Sequence, residues 1–492
     1  MSGADPDGAP VEVAIVGAGF AGLGTGIQLA RRGCRSFVIL ERADDVGGTW
    51  RDNRYPGVCC DVPAHLYCFS FLPNPHWSQF FAPGEEIQEY LRSCARSDGL
   101  YEHIRFGAEM HGATWHESTQ LWRIDTGAGV WWARTLVMAA GRLSEPSYPD
   151  VPGIDDFDGP VLHTAGWQPG LDLSGRRVGV VGTGASAAQL VPGLAGSTAG
   201  LVVFQRSAPY VVPRGNRAYS VGEREHFARN PAALRDAREQ LFAEADAAIG
   251  QRHRVRPDID ALRARALQHL ADSVPDPQLR ARLTPDYEIG CKRVLLSDDY
   301  YPALNRQDVV LEPGALDRVE GSAAVSAHGR RHELDALVLA TGFLSTRPPF
   351  ADRIAGRGGR SLAEHWSGGM TAYASTTVHG FPNMFVLDGP NASLGHNSAI
   401  EMIETQIDYV LGALQHLRRH GARTLEVSLE AERAYTRDID RRSRSTVWLT
   451  GGCRSWYVDE RSGRLTLLWP DSARAFRERN GTFDPAPYVV QE

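Results

Sequence analysis

The sequence predicts an α/β fold built on two βαβ units of one design, and three observations carry that reading. Val11–Val16 is an apolar strand that runs straight into Gly17-Ala18-Gly19-Phe20-Ala21-Gly22. A second apolar strand, at 177–181, runs into Gly182-Thr183-Gly184-Ala185-Ser186-Ala187. In both units the next strand ends on a charged residue, Glu41 in the first and Arg206 in the second, at the same offset from the first glycine. Strand, glycine turn, helix and charged residue in register define a Rossmann-type dinucleotide-binding domain, so the chain should hold two. Its 492 residues leave room for a helical insertion as well.

The elements follow in order. Residues 1–145 form the first part of one domain: helix to about residue 32, strand at 36–40, and strand at 135–141 closing on a small-residue turn. Residues 145–158 are rich in Pro and Gly, as a connection should be. Residues 146–215 begin the second domain, with its strand at 201–205. Residues 216–290 are the insertion. Within it, 221–282 is rich in Ala, Leu, Arg and Glu with few Gly, which predicts two or three amphipathic helices. Residues 291–340 return to the second domain and end in a strand at 335–340, and 341–492 complete the first. A helix is expected over 398–419, with Ser398 and Glu401 as a capping box and Ile400, Ile403, Ile407, Leu411 and Leu414 on one face. The tail beyond residue 452 reads as irregular.

Composition narrows the function. A net charge of −7 argues against nucleic acid or an anionic membrane as the main partner. No uncharged apolar run reaches the roughly 18 residues of a membrane span, so no stable membrane insertion is expected. The N-terminus lacks the basic stretch of a secretory signal. Seven Cys, an odd number without CxxC spacing, argue against disulfides and against a metal site, and for a reducing cytoplasm. Among 52 basic residues Lys292 is the only lysine.

The two turns differ in what they can hold. At the first, Gly17, Gly19 and Gly22 let backbone approach a pyrophosphate at a helix N-terminus, and Glu41 would accept from ribose hydroxyls. At the second, Arg206 would hold a ribose 2′-phosphate that a carboxylate would repel, with Ser207 as a further donor. FAD in the first domain and NADPH in the second is the consequent reading, with hydride passing from one to the other.

Two longer stretches carry a resemblance. Gly47-Gly48-Thr49-Trp50-Arg51-Asp52-Asn53-Arg54-Tyr55-Pro56-Gly57-Val58-Cys59-Cys60-Asp61 is similar, at every specified place, to the long signature of type I Baeyer–Villiger monooxygenases. Phe157-Asp158-Gly159-Pro160-Val161-Leu162-His163-Thr164-Ala165-Gly166-Trp167 resembles their second signature and stands just before the second glycine turn, as in that family. One departure is Gln168, where the family usually has Pro or Asp. With both turns and Ala340-Thr341-Gly342, the resemblance covers nearly the whole chain. It implies an NADPH- and O2-dependent flavin monooxygenase that inserts oxygen beside a ketone carbonyl through a flavin C4a-peroxide. Oxygenation of a sulfur or nitrogen centre and an uncoupled NADPH oxidase are the alternatives. The resemblance further implies that Arg293 faces the flavin, that Asp61 sets its position, and that Lys292 helps bind the 2′-phosphate. His163, with Phe157, Gly159 and Trp167, would couple cofactor binding to domain motion instead of transferring a proton.

Chemistry supports those roles. Asp61 stands in an apolar stretch (Tyr55, Val58, Val62, Leu66, Tyr67) and must find a cation or become protonated. Cys291-Lys292-Arg293 offers one, and a permanently charged guanidinium suits anionic intermediates of oxygen transfer. Gly48, Thr49, Trp50 and Tyr67 would wrap the flavin, and Thr341, Gly342 and Asn391 join the cofactor-binding set. The N-terminus of the 398–419 helix would favour an anionic reduced flavin. Cys59 and Cys60 read as small buried fillers. The insertion and the loop after Gly342 would line the substrate pocket.

Overall fold

The computed structural model describes residues 8–168 and 170–491. The first glycine unit starts a sheet ordered Ile354–Ala355, Met110–His116, Leu121–Thr126, Gly129–Met138, Val11–Val16, Phe37–Leu40, Ile104–Arg105. Gly129–Met138 is its pivot. The first half runs antiparallel to Leu121–Thr126, and the second half lies parallel to Val11–Val16 on one side and to Met384–Val386 on the other. The sequence-predicted strand at 135–141 is the end of this longer element. Val13, Ile15, Ile39 and Val137 have no exposed surface, as apolar strands covered on both faces require.

The second domain is a parallel five-stranded sheet ordered Val309–Pro313, Gly200–Gln205, Arg177–Val181, Ala336–Leu339, Val161–His163. One face packs on the helix Ala185–Leu194 through Ala187, Leu190 and Val191. The other packs on a small antiparallel sheet through Leu316, Val319 and Ala324. The chain crosses between domains twice, and the crossings are stitched together. Ser147 N donates to the Gly342 carbonyl at 2.8 Å, and Leu344 N to that of Glu145 at 2.9 Å.

Four expectations need correction. The insertion holds five helical segments, because Ser220, Asn230 and Asp276 cap new helix starts and Pro231 and Pro277 sit in the first turns of theirs. Ser398 does cap the helix Ala399–His420, accepting from Ile400 N at 3.2 Å, but there is no capping box. Glu401 is drawn away by Arg238 and Arg477. The tail contains a helix, Ala473–Asn480, and a strand, Tyr488–Gln491, paired with Thr424–Val427. Finally, Cys291 and Cys453 form a disulfide with Cα atoms 6.1 Å apart. The two are 162 residues apart in sequence, so no local spacing announces the pair.

The apolar face of Ala399–His420 is as expected: Ile400, Ile403, Ile407, Leu411 and Leu414 are buried against the helix Phe20–Arg31. Gly24 permits this contact, since a Cβ there would lie 2.9 Å from Ile407 Cδ1. Among the described residues no helix is long and apolar enough to cross a membrane, and no cluster of metal-ligating side chains is found.

Candidate active site

Four pieces of chain make up much of the first cleft: the turn from Gly17, the Glu41 strand end, the 47–52 loop, and the 139–145 exit. Gly17 has φ +104°, and a Cβ on it would lie 2.5 Å from the Ala139 carbonyl oxygen. Gly19 and Gly48 face each other; a Cβ at Gly48 would lie 3.3 Å from Gly19 Cα. The cleft is thus floored by bare backbone at a helix N-terminus, as a pyrophosphate requires. Phe20, Ala21, Thr49, Trp50 and Tyr67 also line it. Glu41 is buried at its edge, accepting from Ala18 N at 2.8 Å, Ala43 N at 3.0 Å and Arg51 Nη1 at 2.9 Å. A carboxylate has about four acceptor positions, so one remains for a ribose hydroxyl. Asn391 stands apart. Its amide donates to the Leu465 and Leu468 carbonyls at 2.7 and 2.9 Å, so it ties down the C-terminal segment and does not line the cleft.

The second turn repeats the first. Gly182 has φ +114°, and its Cβ would lie 2.6 Å from the Ala340 carbonyl oxygen. A Cβ at Gly184 would meet open space, and Ala185 and Ser186 begin the helix. Thr183 Oγ1 donates to the Ser207 carbonyl at 2.9 Å. Arg206 is exposed, and Lys292 Nζ donates to Ser207 Oγ at 2.6 Å. Burial, and then Arg206, hold the Lys292 ammonium below the usual lysine range. Two cations and a hydroxyl gathered beyond the strand end form a donor set suited to a phosphate dianion.

Asp61 and Arg293, 232 residues apart in sequence, meet in a bidentate pair, both nitrogen–oxygen distances being 2.7 Å. Burial alone would raise the Asp61 pKa, but the guanidinium outweighs it and holds the carboxyl below its usual range. Asp61 in turn raises Arg293, with Tyr457 adding in the same direction. Lys292 faces the phosphate set while Arg293 faces Asp61, so adjacent residues serve two sites.

His163 sits at the interdomain crossing, its ring against Phe343 and Tyr148 with centroids 5.6 Å away in each case. Its Nδ1 accepts from Ala165 N at 3.1 Å, and burial lowers the ring's pKa. Phe157 is buried, Gly159 allows close approach to the Asp335 carbonyl, Thr341 Oγ1 donates to the Ser147 carbonyl at 2.6 Å, and Trp167 packs on the second domain. Gly342 accepts from Ser147 N in the same crossing.

Sequence reasoning missed several neighbours. Arg51 is buried between Glu41 and Asp52, although it lies inside the 47–61 signature. Arg142 pairs with Asp388 at the cleft, and its position after Gly141 was the available signal. Tyr457 and Trp448 are buried near Arg293 with no sequence pattern to mark them. Arg252 is buried too, its Nη2 donating to the Gly395 carbonyl at 2.8 Å; burial, with Arg293 adding to it, pushes its pKa down to about 10.

Twin glycine turns, a buried carboxylate at one and open cations at the other, together define an oxidoreductase fold for two dinucleotides. A family described as NAD(P)-binding Rossmann-like domain matches residues 15–83. A Baeyer–Villiger monooxygenase of Streptomyces coelicolor is 44% identical over 481 residues, spanning 98% of this chain and 92% of the relative. One from Pseudomonas aeruginosa is 40% identical over 479 residues, spanning 97% and 91%. Cyclohexanone monooxygenase from Rhodococcus sp. Phi1 bound to NADP+ superposes with a TM-score of 0.86 at 28% identity, over 98% of this chain and all of that one. The chain belongs to the Baeyer–Villiger monooxygenase family.

Proposed function

We propose that this protein uses NADPH and O2 to insert oxygen beside a ketone carbonyl, giving an ester or lactone, with FAD in the first cleft and NADP at the second. The observation that carries the reading is the bidentate Asp61–Arg293 pair, which the fold brings together from distant parts of the chain. Relatives named FAD-binding monooxygenases and solved monooxygenases carrying FAD and NADP support the cofactors. The bare-backbone turn from Gly17 would take the FAD pyrophosphate, Glu41 the ribose, and Trp50 and Tyr67 the region of the ring. Gly182, Thr183, Gly184, Ala185 and Ser186 would take the NADP pyrophosphate, and Arg206, Ser207 and Lys292 its 2′-phosphate. FAD, once reduced by NADPH, supplies the electrons that activate O2. Arg293 contributes fixed positive charge where the attacked carbonyl oxygen becomes negative, and Asp61 aims that charge without neutralising it. His163 and the paired crossings would let the domains shift while both cofactors stay bound. In the Arg293→Ala variant, flavin content and reduction by NADPH should persist while ester formed from a ketone panel falls about 100-fold or more, the scale of losing one aimed donor. Mass analysis of products against NADPH consumed checks this. Normal ester yield per NADPH would remove Arg293 from the chemistry.

A further inference from the structure

The Cys291–Cys453 bridge has no part in the site as described so far, yet it stands at its foot. Cys291 directly precedes Lys292 and Arg293, and Cys453 lies in the same short loop as Tyr457. Arg293 spends Nε and Nη2 on Asp61, so the rest of its placement falls to its own segment, where Cys291, two residues before it, shares one buried apolar cluster with Tyr457. The bridge joins the segment carrying Arg293 to the segment carrying Tyr457 by a covalent link two residues from Arg293. Asp61 fixes the guanidinium, and the bridge fixes the segment that carries it.

The bond can open without the segments parting. Glu288 N donates to the Gly451 carbonyl at 2.8 Å, and Gly451 packs so tightly that a Cβ there would lie 2.7 Å from Cys291 Cβ. Tyr287, Ile289, Val447, Trp448 and Tyr457 share one apolar cluster with Cys291. Two thiols would therefore remain face to face. Access is one-sided: Cys291 is fully buried, while Cys453 is partly exposed between exposed Gly452 and Arg454. A solvent thiol attacks the Cys453 sulfur first and expels the Cys291 thiolate, which takes up a proton. A second thiol then attacks the outer sulfur of the mixed disulfide and releases Cys453, so the two reagent thiols leave as their own disulfide and supply the two electrons.

We propose that Cys291 and Cys453 are a reversible redox pair that positions Arg293, the bridged form coupling NADPH to oxygen transfer and the dithiol form diverting NADPH into hydrogen peroxide. This rests on the functional reading above. The peroxide so formed is the oxidant that closes the bridge. The Cys453 thiolate attacks one peroxide oxygen, the O–O bond breaks, and water leaves after taking a proton. The Cys291 thiol then attacks the resulting sulfenic sulfur and expels a second water. Two thiols and one hydrogen peroxide become one disulfide and two waters, sulfur giving up the two electrons that peroxide gains. Lost coupling would thereby generate its own repair reagent.

The test uses the whole flavin-loaded enzyme and measures product per NADPH, hydrogen peroxide released, and the thiol state of Cys291 and Cys453 by peptide mass mapping. Reduction with dithiothreitol, followed by its removal, should lower product per NADPH about tenfold, within what a displacement of 1 Å or less can cost. One equivalent of hydrogen peroxide should restore it as those two thiols disappear. Cys291→Ser and Cys453→Ser should each hold the reduced value and respond to neither reagent; should either variant fold poorly, the reduced wild-type enzyme serves as the dithiol form. A bridge that shifts the melting temperature but leaves coupling unchanged, or one that resists reduction in the folded enzyme, overturns the inference alone. A bridged enzyme that converts no ketone overturns the functional reading and this inference with it.

Discussion

The two glycine turns are near copies in backbone and opposites in chemistry. Gly17 and Gly182 share a left-handed φ and approach the carbonyls of Ala139 and Ala340 at almost the same distance. They diverge at the last turn position and at the strand end. Gly22 leaves no space at all, since a Cβ there would lie 1.8 Å from the Gly17 carbonyl oxygen, whereas the second turn carries Ala187. Glu41 is buried and reaches back to Ala18 N, closing its turn; Arg206 stands in solvent. One scaffold thus makes a closed turn and an open one. The difference lies in a few side chains and not in the fold.

The strongest way to break this comparison is to write the second turn into the first. Gly22→Ala should force the turn open at a cost of about 3 kcal/mol, or ~150-fold in flavin retention, read from the flavin-to-protein absorbance ratio after gel filtration. The converse, Ala187→Gly, should leave the KM for NADPH within about twofold, because it adds space where none is needed. A Gly22→Ala enzyme that kept its flavin would show that the tight packing is incidental.

Arg206→Ala sharpens the other end. Losing a charge-assisted contact in solvent should raise the KM for NADPH about tenfold and leave NADH nearly unaffected, as initial rates with each nucleotide would show. Equal effects on both would remove the 2′-phosphate from this site. Lys292→Met should act in the same direction by about threefold, since its ammonium already shares the position with Ser207 and Arg206. The smallest effect concerns pH. The Lys292 pKa is lowered, so its positive charge is lost as pH rises through a value below the ordinary lysine range. The KM for NADPH should therefore climb on the alkaline side before free lysine would titrate, by no more than the Lys292→Met factor. Flavin retention, measured over the same range, should stay flat.

Local chemistry was legible in the sequence and distant pairing was not. Both turns, the charged strand ends and the apolar stripe from Ile400 to Leu414 are written in neighbouring residues, so periodicity and offset were enough to find them. Asp61 demanded a cation because its surroundings are apolar, and the structure supplies Arg293. The Cys291–Cys453 bridge, the cluster that Cys291 shares with Tyr457 and the Glu41–Arg51 pair depend on which segments the fold brings together, and composition argues against the first of these. Glu401 shows the same limit in a helix cap: a partner three residues after Ser398 lost to two arginines from elsewhere. Asn391 was placed at the cofactor because of its neighbours in sequence, but its amide is spent on two carbonyls of the C-terminal segment.

The double crossing between domains also has a consequence for how the chain comes off the ribosome. Met384–Val386 pairs with Gly129–Met138, but the whole second domain is synthesised between them. That second domain can close its five strands as soon as Ala336–Leu339 emerges. The first must wait with an unpaired edge at 136–138 until Met384–Val386 and then Ala399–His420 arrive to cover it. Long-range pairing of this kind is slow and leaves an exposed strand open to other chains in the meantime. The inserted domain matures first and the host domain last, so the vulnerable interval of biogenesis belongs to the half that begins at the N-terminus.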